Sequence, residues 1–256
     1  MDISFWLSAL LIFVRISSFM VSAPLFSGRQ IPNQYKVGLS VALSFLCAGV
    51  VDEPIESLSQ WMLMVLILKE FLVGIVLGLV ASILFYSVQM AGALIDLQIG
   101  FAMATMFDPT FQTSTQLTGR FKNILAILVL LSINGHHLLI QGVLASFDWI
   151  SLQSLIPDWT DGRLSSFVLE SVKQMFMIGF LMAAPITGTM FIVDIAIGIL
   201  SRTVPQLNIL SIAPPLKIML YFVLYMFLLP SFIYLLNILF ETMFGSMSSI
   251  MKIMGA

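Results

Sequence analysis

Hydrophobic residues run along this chain in long blocks, and its polar positions gather into short breaks between them. The breaks are SGRQIPNQYK (27–36), DEPIES (52–57), FDPTFQTSTQLTGRFK (107–122), FDWISLQSLIPDWTDGR (147–163) and SRTVPQLNILSIAPPLK (201–217). Apolar blocks of this kind predict membrane-crossing helices, which need about 20 residues each. The charges of the breaks alternate along the chain. Arg29 and Lys36 come first, then Asp52, Glu53 and Glu56, then Arg120 and Lys122 against Asp108. Asp148, Asp158 and Asp161 against Arg163 follow, and Arg202 with Lys217 close the series. Because Lys and Arg beside span ends stay cytoplasmic, the pattern predicts six crossings, with the first, third and fifth breaks inside and both termini outside.

Two blocks are too long for a plain bundle of spans. Leu58–Met106 has 49 residues and Leu164–Leu200 has 37. As straight helices these would be roughly twice the hydrocarbon thickness. Bent hairpins, or helices that leave the membrane to pack on other subunits, would satisfy backbone and side chains together. The expected fold is therefore all-α: an integral membrane protein of long bent helices and helical hairpins, one element of an oligomeric assembly.

Composition agrees with this solvent. The chain is 59% hydrophobic and 9% charged, against roughly a quarter charged in a soluble domain. A net charge of -2 and the lack of any basic run set nucleic acid aside as a partner. The single cysteine, Cys47, permits no intrachain disulfide and reads as a small buried hydrophobe. Asp2 where a basic residue would be expected, and Arg15 within the first apolar block, argue against a cleaved secretory leader. That block reads as a retained span.

Charges inside the blocks need partners. Arg15, Lys69, Glu70, Asp96, Lys173 and Asp194 would each be costly in lipid unless paired or facing protein or a water-filled path. Lys69 and Glu70 are adjacent, point different ways around a helix and are expected to have separate partners. Gly74 and Gly78 form a GxxxG that predicts a close helix-packing face.

Candidate chemistry is sparse. SINGHH (132–137) offers neither GxSxG nor HExxH. His136 and His137 project about 100° apart on a helix and lack a third ligand, so a zinc site is not expected. Asn134 and Gly135 are expected to kink the chain there. No enzyme activity and no cofactor are expected, and no nucleotide-binding loop is present. RQIPNQ (29–34) and RTVPQL (202–207) share Arg-x-x-Pro on the same expected side, which argues against inverted repeats. Met243, Met247, Met251 and Met254 recur at helical spacing, a soft apolar ridge that either is covered within the chain or docks an assembly partner.

Five pieces in order carry a family resemblance: FVRISSFMVSAPLFSGRQIPNQYKVGL, KEFLVGIVLG, AGALIDLQIGFAMATMFDP, INGHHLLIQGVLASF and DIAIGILSRTVPQLNILSIAPPLKIML. Together they resemble the FliR/SctT family, the export-gate component of flagellar and virulence type III secretion systems, with the flagellar branch favoured. The resemblance implies a bacterial inner-membrane protein of the flagellar basal body. A single copy would assemble with FliP and FliQ into a helical gate, beside FlhB and FlhA, and pass unfolded substrates. It further implies that residues 1–165 are FliP-like and that residues 166–256 form a FliQ-like hairpin. Arg202, Pro205, Gln206, Asn208, Pro214 and Lys217 would sit in the cytoplasmic tip of that hairpin, and the Met-rich tail would follow it.

In proteins of that family the segment after the Gly-Phe pair forms a plug in the pore. The chemistry of residues 100–120 suits that role: Thr, Ser and Gln can hydrogen-bond backbone and pore water without carrying charge. Flexible Met103 and Met106, with Phe101, Phe107 and Phe111, can close around varied chains. Gly100 gives backbone freedom where a helix must break, and Asp108-Pro109 suits a turn. The competing functional class is an ion-coupled small-solute transporter whose buried charges bind the coupling ion.

Overall fold

The computed structural model describes residues 3–28, 31–51, 59–101, 116–154, 162–204, 206 and 209–255. Among these residues the regular structure is all helix, with α1 at Ile3–Ser22, α2 at Asn33–Ala48, α3 at Gln60–Ile99 and α4 at Leu117–Ser132. α5 follows at Gly135–Trp149, α6 at Arg163–Thr203 and α7 at Ile209–Gly255.

The helix ends fall where the backbone chemistry puts them. Pro24 disfavours helical geometry at the residue before it, and α1 stops at Ser22. Pro32 supplies the extended residue ahead of α2. Gly100 takes a φ of 94° just past α3, a left-handed turn that costs glycine little. At Ile133–Asn134 the chain breaks as the Asn-Gly pair predicted, with Asn134 at φ 57°, so the fourth expected crossing is not one rod but α4 and α5, bent by 72°.

Among the described residues, α1, α3, α6 and α7 are each long and apolar enough to cross a membrane, and the α4–α5 pair makes a fifth if it is one span. This corrects the expected six. The block at 37–51 becomes α2, whose 16 residues rise about 24 Å, short of the ~30 Å hydrocarbon core. The overlong blocks do not fold back on themselves. α3 is one helix of 40 residues, and α6 has 41 with Pro185 inside it. α7 has 47 residues with Pro214, Pro215 and Pro230 inside it. At 1.5 Å per residue these helices are about 60 to 70 Å long.

The chain divides into two compact units. The first comprises residues 1–85, 133–173 and 240–256, the second residues 86–132 and 174–239. Ile12, Ile16, Phe19, Leu77, Leu139, Val143 and Ile250 are fully buried in the first. Val88, Ile95, Ala126, Leu130, Met190 and Leu236 are equally buried in the second. Met243, Met247, Met251 and Met254, 5% exposed or less, belong to the core of the first unit. The ridge of the tail is thus covered by its own chain, because α7 turns that face inward, and is not free to dock a partner.

Candidate functional site

Among the described residues, charges withdrawn wholly or partly from the surface gather into three clusters, one in the first unit and two in the second. In the first unit Arg15 of α1 has its Nη2 3.0 Å from Glu70 Oε1 of α3, and its Nε also contacts Glu70 Oε2. Arg15 Nη1 donates to Ser146 Oγ at 3.0 Å, and Nη2 donates to the Ile150 carbonyl at 3.0 Å. The guanidinium lies 4.1 Å from the Phe147 ring centroid. The planar fork of an arginine suits such a site, since it can serve a carboxylate, a hydroxyl and a carbonyl at once.

Lys69 joins the same carboxylate, with Nζ 2.9 Å from Glu70 Oε1, and donates to the carbonyls of Ser151 and Leu152 at 2.7 and 3.1 Å. Lys69 and Glu70 thus have separate partners, the two carbonyls and Arg15, and also pair with each other, which the expectation left out. A flexible four-carbon stem carries the ammonium back to its neighbour's carboxylate, so backbone direction alone does not separate them. The cluster ties α1 and α3 to the end of α5.

Gly74 and Gly78 lie against α1 in the same unit. A Cβ on Gly74 would come 2.0 Å from Ser18 Oγ and 2.3 Å from the Arg15 carbonyl. One on Gly78 would come 2.1 Å from Ser22 Oγ. The two backbones approach because neither glycine has a side chain to hold them apart.

In the second unit, both carboxylate oxygens of Asp96 accept the Thr118 backbone N–H at 3.2 Å. Thr118 is in the first turn of α4, where unpaired N–H groups favour a negative charge. Thr118 Oγ1 donates to the Gly92 carbonyl at 2.9 Å. A Cβ on Gly92 would come 2.1 Å from the Gly119 Cα, so α3 and α4 meet backbone to backbone.

One turn further on, Lys122 is 1% exposed, with Nζ 5.6 Å and 5.2 Å from the ring centroids of Tyr225 and Phe232. The third break was expected to end in a loop carrying this charge. Instead α4 begins at Leu117 and turns Lys122 into the unit, where aromatic faces meet it.

The third cluster pairs Asp194 of α6 with Lys217 of α7. Gln98 Nε2 donates to Asp194 Oδ2 at 2.9 Å, while Lys217 Nζ donates to the Gln98 carbonyl at 3.2 Å. Lys217, expected in the cytoplasmic tip, lies inside α7 and pairs with Asp194. Pro214 is likewise within that helix, which begins at Ile209. Arg202 and Gln206 are exposed. Lys173 is exposed as well and pairs with Glu170 at 3.1 Å on the surface of the chain.

Of the plug residues, Gly100 and half-buried Phe101 follow α3 directly. Met103, Met106, Phe107, Asp108, Pro109 and Phe111 lie outside the described residues, as do Pro205 and Asn208. Sequence reasoning missed Ser146, Phe147, Thr118, Tyr225 and Phe232 as partners of the buried charges. The one available signal was the composition around Lys122, because a lysine inside an apolar helix requires a counter-charge or an aromatic face.

Comparison with known proteins follows the same outline. The profile described as "Bacterial export proteins, family 1" matches residues 6–243. The flagellar biosynthetic protein FliR of Bacillus subtilis (strain 168) is 40% identical over 215 residues, 84% of this chain and 83% of that protein. Its counterpart in Pectobacterium carotovorum subsp. carotovorum is 35% identical over 210 residues, 80% and 78% of the two chains. The Yop proteins translocation protein T of Yersinia pestis is 29% identical over 182 residues, 70% and 67% of the two chains.

Proposed function

The chain belongs to family 1 of the bacterial export proteins, and from that premise we propose that it is a channel-forming subunit of the flagellar type III export gate in the bacterial inner membrane. One copy assembles with FliP and FliQ, beside FlhB and FlhA, and passes unfolded flagellar substrates. Residues 1–165 act as the FliP-like part and 166–256 as the FliQ-like part.

The observation that carries this reading is the mismatch between helix length and apolar exposure. α6 and α7 are each about twice the hydrocarbon thickness in length. Yet Phe180, Phe191, Met219, Met226 and Phe227 are 59 to 79% exposed on the chain. A bilayer can cover only part of such a length, and neighbouring subunits would cover the rest. Purification in mild detergent followed by mass measurement tests it: this chain should come with other subunits. Recovery as a stable monomer or homo-oligomer overturns the reading and favours a transporter.

Residues 100–120 serve as the plug. In support, Asp96 and Thr118 tie the two roots of that segment together. Deleting residues 106–116 from the assembled gate should raise its ion leakage. Leakage equal to that of the intact gate removes the plug from the proposal.

A further inference from the structure

We propose that the second unit contains a built hydration site at Lys122, in which one water molecule bridges the Lys122 ammonium and the Tyr225 hydroxyl. Several observations within that unit converge on the site. Lys122 is 1% exposed and brings three N–H donors into an apolar interior. The rings of Tyr225 and Phe232 offer it their faces, which attract charge but supply no oxygen acceptor for its N–H groups. The carboxylate whose charge it feels, Asp96, is turned toward the first turn of α4, where both oxygens accept the Thr118 N–H.

Tyr225 is 8% exposed, and among the described residues its buried hydroxyl has no hydrogen-bond partner. Both groups line a small cavity of about 10 Å³, together with Met182, Pro185, Ser231 and Phe232.

Size and charge choose the ligand. A space of this size suits about one water, which needs two to four polar partners, and is far too small for a lipid chain. The apolar lining and the small volume suit a neutral ligand better than an anion, whose desolvation would be costly there. The water accepts from the ammonium and exchanges a hydrogen bond with the phenol. It thereby lets a lysine be stably buried where α4, α6 and α7 meet within the unit.

The test uses the assembled membrane complex with the variants Tyr225→Phe, Lys122→Met and both together. A bridging water makes the two residues interdependent. Tyr225→Phe alone should lower Tm by about 2–4 °C, whereas on the Lys122→Met background it should change little. A map that resolves ordered solvent should show one spherical density within hydrogen-bond distance of both groups. An unchanged or raised Tm for Tyr225→Phe, or a map without that density, overturns the proposal. So does a heavier peak on exchange into bromide, which would assign the site to a halide. If Lys122→Met fails to assemble, the Tyr225→Phe shift and the map still decide.

Discussion

Arg15 Nη2 and Glu70 Oε1 stand 3.0 Å apart, with both side chains wholly withdrawn from solvent. A buried pair of this kind is a weak source of net stability but a strong constraint. Removing one partner leaves the other as an uncompensated buried charge, and that costs about 3–5 kcal/mol. Here the loss would be felt in α1, α3 and the end of α5 together, because Ser146, Ile150 and Lys69 share the cluster.

Glu70→Ala should therefore abolish stable accumulation of the chain, since it strands both Arg15 and Lys69. Arg15→Met should be milder, because Lys69 still neutralises Glu70. The comparison is made by membrane yield and by thermal unfolding of the purified complex. Equal behaviour of the two variants would mean that Lys69 does not share the carboxylate.

Gly74→Ala should push α1 away from α3. The added methyl would overlap the Ser18 hydroxyl and the Arg15 carbonyl, and overpacking of this kind costs about 1–3 kcal/mol. Gly188→Ala is the matched control, because a Cβ there meets nothing within 4 Å. Thermal stability of the complex should fall for the first variant and stay level for the second.

Asp96→Ala should release the first turn of α4. The Thr118 N–H would lose its acceptor, a loss of about 1–3 kcal/mol for a buried donor. Hydrogen exchange at the Thr118 amide should accelerate, with little change in α1. Asp96→Asn keeps an oxygen acceptor and should retain much of the protection.

Met247→Ala and Met226→Ala should fail in different ways. Met247 is 1% exposed, and its truncation removes core contacts, a change that costs about 2–5 kcal/mol. Met226 is 79% exposed on the chain. Its truncation should leave the chain's own core intact and weaken copurification of other subunits. Identical loss of folded chain for both would contradict the assigned burial.

Several of these features were legible in the sequence for local reasons. The kink at Asn134, the glycine break after Ile99 and the close face at Gly74 and Gly78 follow from the residues at those positions and their immediate spacing. The treatment of Lys122 and Lys217 as loop charges failed for a local reason too. Positive residues near a break look alike whether the helix starts before or after them. At both breaks the helix claimed the lysine, α4 starting five residues before Lys122 and α7 eight residues before Lys217.

The sequence by itself determined the solvent and the element type: with 59% hydrophobic residues in blocks longer than a bilayer, only hydrogen-bond-saturated helices can form. It also determined that each charge inside those blocks must find a partner. Which partner was decided only in three dimensions. Arg15 meets Glu70 across 55 positions and Ser146 across 131, and Lys217 meets the Gln98 carbonyl across 119. Helical periodicity orders a side chain against neighbours three or four residues away. It carries no information about which distant helix will supply the counter-charge, because that choice is made by how whole faces pack.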